Sequence, residues 1–188
     1  MRKVIAGFNM TLDGICDHTA LTPDGEVHEH YSKLLSEADC MLFGRTTYHL
    51  MEFWRPFLDN PSGEKSMDDF AIAIDRIPKI VFSNTLTEVD WKTARVATLG
   101  LQEEVLALKQ QPGNSILVGS LSLIIALMKS SLIDELQLTV HPVIAVEGRS
   151  FFEDIKHRMN LKLINTKTFA GGAVTLYYKP QPNGLSEM

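Results

Sequence analysis

Two short stretches of this chain carry the residue types that hold phosphate. Ile116-Leu117-Val118-Gly119-Ser120-Leu121-Ser122 runs from an apolar segment through a Gly-Ser pair into an apolar-striped helix. A strand that turns sharply into a helix leaves backbone N–H groups unpaired at a positive helix end. That is a site for an anion, most often a phosphate of a nucleotide. Gly119 lets another backbone or a pyrophosphate come close, and Ser120 adds a hydroxyl donor. The second stretch, Met41-Leu42-Phe43-Gly44-Arg45-Thr46-Thr47-Tyr48, has the same form. Here two hydroxyls and a guanidinium suited to bidentate phosphate contact stand at a helix start. A solvated arginine beside N-capping threonines would have the same sequence.

Proton chemistry has fewer candidates. Asp13, in Thr11-Leu12-Asp13-Gly14, follows an apolar run, but an Asp-Gly turn accounts for it by itself. Asp24, Glu26 and Glu29 lie around the start of the next helix. Asp134 and Glu135 are adjacent at the entrance to a strand, so their side chains point to opposite faces and cannot share a site.

Composition narrows the classes. The 188 residues suit one domain, expected over residues 1–180, with residues 181–188 as a loose tail. Apolar content of 45% and charged content of 22% allow a sizeable core without disulfides or metals. A net charge of -5 argues against nucleic acid and against an anionic membrane surface. Cys16 and Cys40 lack metal-ligand spacing and fit reduced thiols in a cytoplasmic protein. The six histidines form no ligand set for a metal, and His28 and His30 are expected on a helix surface. Neither a signal peptide nor a membrane span is expected.

The elements that must position these turns alternate. Apolar runs at residues 4–8, 40–43, 79–84 and 116–118 read as buried strands, with a minor strand at 95–97. Helical stripes separate them: Val27, Tyr31, Leu34, Leu35 and Ala38; a helix from Gly44 ending before Pro56; Met67, Phe70, Ile74 and Ile77; Leu101, Val105 and Leu108; Leu121, Ile124, Ile125 and Met128. A long strand is expected at 135–146, then two more flanking the hairpin signal Ala170-Gly171-Gly172. The pattern predicts an α/β fold with a mixed, mostly parallel sheet, a C-terminal antiparallel hairpin and helices on both faces.

Five motifs stand in order: Thr11-Leu12-Asp13-Gly14, Leu42-Phe43-Gly44-Arg45-Thr46-Thr47-Tyr48, Val81-Phe82-Ser83-Asn84, Val118-Gly119-Ser120, and Leu132-Ile133-Asp134-Glu135-Leu136 leading to His141-Pro142-Val143-Ile144. Together, over roughly residues 2–179, they resemble the dihydrofolate reductase superfamily. The resemblance is nearest to the reductase domain of bacterial riboflavin-biosynthesis proteins and its stand-alone relatives. It implies a three-layer fold and a nicotinamide cofactor, NADPH or NADH, in a groove across the strand ends. It assigns Gly44, Arg45, Thr46 and Thr47 to the phosphates, Ser83 and Asn84 to the adenosine ribose, and Gly119, Ser120, Leu121 and Ser122 to the second phosphate turn. Asp13 becomes the carboxylate closest to the nicotinamide end. A homodimer is also implied.

Departures bear on the substrate. Riboflavin-pathway reductases carry an acidic residue where this chain has Val118, and a Gly-Gly pair where it has Gly119-Ser120. Many relatives have a basic residue in place of Asn84. The H-x-E and C-x-x-C motifs of a zinc deaminase are absent. Phe53 and Trp54 either wall a pocket for a flat heterocycle or belong to the core. Three functions follow: an NAD(P)H-dependent reductase of a small pteridine- or pyrimidine-like heterocycle, the riboflavin-pathway 5-amino-6-(5-phosphoribosylamino)uracil reductase, or a non-catalytic nucleotide-binding protein.

Overall fold

Runs of three to nine residues become strands: β1 (Lys3–Thr11), β2 (Ala38–Gly44), β3 (Lys79–Phe82), β4 (Ala94–Val96), β5 (Ser115–Val118), β6 (Glu135–His141), β7 (Leu161–Thr168) and β8 (Val174–Pro180). The computed structural model describes residues 1–156 and 158–181. The tail expected at 181–188 therefore falls, from Pro182 onward, outside the described residues. The strands form one eight-stranded sheet in the order β4-β3-β2-β5-β1-β6-β8-β7. All pairs from β4 to β6 are parallel, and β8 is antiparallel to both β6 and β7. This is the mixed sheet with a terminal hairpin that the alternation predicts.

Among the described residues, the α-helices α1 (Gly25–Ser36), α2 (Arg45–Met51), α3 (Lys65–Arg76), α4 (Leu101–Gln110) and α5 (Leu121–Lys129) cover the two faces. Period-2 alternation in the buried strands divides the core. In β5, Ile116 and Val118 join Leu42, Val105, Ile124 and Leu127 under α4 and α5. Leu117, between them, joins Phe43, Leu35, Tyr48 and Ile74 on the face of α1, α2 and α3. A side chain such as Ile74, fully buried, contributes about 1.5–3 kcal/mol by leaving water. Among the described residues, no helix is long and apolar enough to cross a membrane.

Three expectations need correction, and one alternative is decided. The strand expected at 135–146 stops at His141, because Pro142 has no N–H with which to continue the ladder. The helix expected to end before Pro56 becomes α2 followed by a 3₁₀ segment, Glu52–Leu58, that passes through Pro56. The proline keeps a helix-compatible φ there while losing its donor. His28 and His30 are half-buried rather than open on the helix surface. His28 packs against Trp54 and Phe70, and His30 against Tyr31, Phe169 and Tyr177. Burial holds both imidazoles below their usual pKa, His30 at about 4. Of the two readings of Trp54, the core prevails: its ring centroid lies 4.6 Å from that of Phe70 on α3.

Polar groups tie the elements at long range. Asp134 accepts the Val4 N–H at 2.8 Å and pairs with Lys109, so it braces the start of β1. Lys79, 1% exposed, donates to Asp75 O at 3.0 Å, Ile77 O at 2.9 Å and Thr93 Oγ1 at 2.7 Å. Two of these acceptors belong to the C-terminal end of α3 and the turn after it, where carbonyls lack helical partners. Lys79→Met should lower unfolding stability by about 1–3 kcal/mol, because it strands buried acceptors. Urea denaturation followed by circular dichroism measures this; an unchanged midpoint would show that water replaces the ammonium.

Candidate functional site

β5 is short, and that opens the site. Its pairing with β1 ends at Ala6 opposite Val118, yet β1 continues to Thr11 beside β6. Residues 7–11 of β1 therefore border a notch whose other wall is the turn into α5. On the far side of that turn stands β2, which leads into α2 through Gly44. The ends of β3, β2, β5 and β1 thus lie in a row three strand spacings wide, about 14 Å.

Both phosphate-type turns are built as helix starts without a side-chain cap. α2 begins after Gly44 and α5 after Ser120, and the Ser120 side chain makes no bond to its own helix. Ser120 Oγ instead accepts the Gly44 N–H at 2.7 Å and joins the two turns. Ser120 is 2% exposed, so this bond is a fixed part of the wall. At Gly119 a β-carbon would meet the flexible tip of Met41, Cε, and the glycine leaves that side of the turn open. First-turn N–H groups at both starts therefore remain available to an anion.

The remaining cofactor candidates lie along the same edge. Arg45 and Thr46 are exposed and Thr47 is half-buried. Arg45 Nη1 donates to Thr85 Oγ1 at 2.9 Å across a cleft of about 500 Å³ lined by Arg45, Thr46, His49, Leu50, Thr85 and Leu86. Ser83 uses its hydroxyl to accept the Thr85 and Leu86 N–H groups at 3.1 and 2.9 Å, which shapes the turn after β3. Asn84 is exposed in that turn. Leu121 is buried beneath the start of α5, whereas Ser122 is exposed on it.

Asp13 lies elsewhere in its contacts. Its carboxylate accepts Thr11 Oγ1 at 2.5 Å, Ala145 N at 3.2 Å and Val146 N at 2.9 Å. The Thr11 hydroxyl first, then the Val146 N–H, hold its pKa down at about 2. At neutral pH it is a carboxylate fastening the loop after β1 to the loop after β6. Val146 sits at φ 69°, a left-handed conformation that costs a β-branched residue strain. Asp24 is likewise held below the usual range, by the Val27 N–H that it caps and by Gly171 N. Glu26 accepts Ala170 N at 2.8 Å. Glu29 is exposed on α1.

A second polar set lies on the α1 face of β1 and β6, where residue spacing alone did not single it out. Tyr31 OH meets Thr139 Oγ1 at 3.0 Å, and Thr139 meets Thr175 Oγ1 at 2.8 Å. His141 Nε2 lies 2.9 Å from Asn9 Oδ1. The only sequence signal was the polar residues at alternate positions of two strands, Asn9 and Thr11 in one, Gln137, Thr139 and His141 in the other.

A family model described as the RibD C-terminal domain matches residues 2–175. YyaP, an uncharacterized protein of Bacillus subtilis (strain 168), is 34% identical over 185 residues, 94% of this chain and 94% of its own. A putative riboflavin biosynthesis protein from Shewanella sp. PV-4 has a TM-score of 0.72 at 18% identity, covering 97% of this chain and 100% of that one. Dihydrofolate reductase from Enterococcus faecalis, solved with NADP(H) and RAB-propyl, has a TM-score of 0.62 at 15% identity, covering 96% and 97%. The two structures share this fold.

The loop fastening is testable without any ligand. Asp13→Asn should speed amide exchange at residues 143–149, measured by hydrogen–deuterium exchange mass spectrometry. In the wild type the contact should persist above pH 4 and weaken as pH falls from about 4 toward 2, since the folded-state pKa is the depressed one. Equal exchange in variant and wild type would show that the loops hold without the carboxylate.

Proposed function

The chain belongs to the RibD C-terminal domain family, and we propose that it is an NAD(P)H-dependent reductase of a small pteridine- or pyrimidine-like heterocycle. The observation that carries this reading is the pair of adjacent, uncapped helix starts joined by the Gly44–Ser120 bond. Two phosphates linked as a pyrophosphate fit two neighbouring sets of free N–H groups better than one anion does. The residues present suit a nicotinamide dinucleotide: Gly44 and Gly119 give backbone access, Thr46, Thr47 and Ser122 offer hydroxyls, and Arg45 offers charge. Ser83 and Asn84 border the end of the same row, where an adenosine ribose would lie.

When bound, the cofactor supplies a hydride for a C=N or C=O bond. The chain's own part is to bind, orient and exclude water. Gly119, Ser120 and Leu121 wall the notch beside residues 7–11 of β1, which orients a ring against the strand. Asp13 serves the site by holding two loops together; as a permanent carboxylate it is a poor proton donor near pH 7. The proton then comes from water or from the substrate's own solvent contact. We place this reductase domain over residues 1–180, with the small molecule as its partner and the cytoplasm as its compartment.

A second reading, the riboflavin-pathway 5-amino-6-(5-phosphoribosylamino)uracil reductase, is favoured by the family match. Val118, buried and apolar, stands against it where relatives present an acid. Complementation of a reductase-deficient strain separates the two. A non-catalytic nucleotide-binding protein would bind cofactor without turnover across pterins, aminopyrimidines and quinones.

We also propose a homodimer through β7. This edge strand is exposed along nearly its whole length, and it carries Leu163 and Ile164 at 48% and 49% exposure. An uncovered apolar edge is a template for pairing.

Two measurements test these proposals. Nicotinamide fluorescence should show saturable NADPH binding, and Arg45→Ala should weaken it about tenfold, roughly 1.4 kcal/mol, through loss of a charged phosphate contact. Absence of saturable binding by both NADPH and NADH overturns the reductase. In sedimentation equilibrium the wild type should be dimeric and Ile164→Lys monomeric; a monomeric wild type refutes the β7 interface.

A further inference from the structure

The notch beside β1 contains one polar side chain whose orientation is set from outside it. Asn9 is half-buried, midway along the stretch of β1 that outlasts β5. Its side chain lies on the α1 face, as does the position of Gly7, where an added β-carbon would meet Leu34 Cδ2 at 3.4 Å and Tyr31 Cε1 at 3.5 Å. The other hydroxyls nearby are already engaged: Tyr31 bonds Thr139, and Thr139 bonds Thr175.

His141 comes from the opposite side. In the parallel register Asn9 faces Thr139 and Thr11 faces His141, so Asn9 and His141 are diagonal neighbours on one face. The imidazole is 3% exposed. Its Nε2 lies 2.9 Å from Asn9 Oδ1. A carboxamide oxygen can only accept, so the bond requires the proton on Nε2. Burial lowers the imidazole pKa, with the Asp24 carboxylate acting the other way, and this favours the neutral ring with its single proton. His141 also lines a cavity of about 210 Å³ together with Thr22 and Asp24.

The consequence follows from the planar geometry of an amide. With its oxygen turned to β6, Asn9 must turn its NH₂ group away from β6, toward the side of β1 that β5 leaves open. Among the described residues no protein acceptor takes that NH₂ group, and it is not one of the buried, unpartnered polar atoms. We propose that Asn9 is a specificity-determining residue that offers a hydrogen-bond donor to the heterocycle and selects ring carbonyls over ring amino groups. His141 is its positioning residue. The proposal rests on the reductase reading, since it gives the substrate class for the same cleft. A site built to donate rejects a ligand that also donates, because both donors are then left unpaired.

A matched pair of probes tests it. Lumazine carries ring carbonyls where 2,4-diaminopteridine carries amino groups. Calorimetric titration of the NADP⁺-saturated protein should show lumazine binding about tenfold or more tightly. Asn9→Asp, isosteric but acceptor-only, should invert the order, and Asn9→Leu should bring the two within about threefold. His141→Leu should erode the preference, whereas His141→Gln, which keeps a donor, should retain most of it. Independently of any ligand, ¹⁵N NMR of the imidazole at pH 7.5 should show the proton on Nε2. A proton on Nδ1, no inversion in Asn9→Asp, or binding of neither pteridine by a protein that binds NADP⁺ overturns the assignment and leaves the cofactor reading standing. Failure to bind NADP⁺ at all overturns both.

Discussion

The parallel register of β1 with β5 governs the rest. Because β5 contributes only Ser115–Val118, its ladder ends at Ala6 and the chain turns at Gly119 while β1 runs on. A longer β5 would pair with residues 7–11 and close the notch. The same early turn brings Ser120 level with Gly44 and allows the single 2.7 Å bond between two helix starts. The site is thus made by a strand ending early within an ordinary parallel ladder. Its walls are rigid because β1, β2 and β5 are held on both sides by other strands.

The two faces of the sheet do different work. Under α4 and α5 the core is apolar, from Val4 and Ala6 through Ile116 to Leu127, and serves cohesion. The α1 face is apolar toward β3; toward β6 and β8, beside the small cluster of Val27, Phe169 and Ala173, it holds the buried polar residues Gln137, Thr139, His141 and Thr175. Buried hydroxyls and amides tolerate few arrangements, since each unpaired group costs about 1–3 kcal/mol. That half of the molecule therefore trades some cohesion for definite side-chain orientation, and it is the half beside the notch.

Much of this was legible in local sequence. The continuous apolar run Ile116-Leu117-Val118 marked a strand buried on both sides, and Ala170-Gly171-Gly172 marked the hairpin that joins β7 to β8. The motif order pointed to the family whose model matches residues 2–175. What escaped depended on partners far along the chain. His141 and Asn9 are 132 residues apart, as are Asp13 and Ala145. Nothing near Asp13 in sequence reveals that its carboxylate serves a distant loop. Helical spacing put His28 and His30 on α1, but could not show that the edge hairpin and the 52–58 segment would cover them.

The central place of β1 has a consequence for how the chain is made. β1 leaves the ribosome well before β5 and β6, between which it lies, and it waits more than a hundred residues for either neighbour. Until then its apolar residues have only helices and each other for cover. Such long-range pairing makes folding slow and leaves nascent chains open to association. Production in cells should accordingly depend on chaperone capacity and translation speed before it depends on the final stability of the fold.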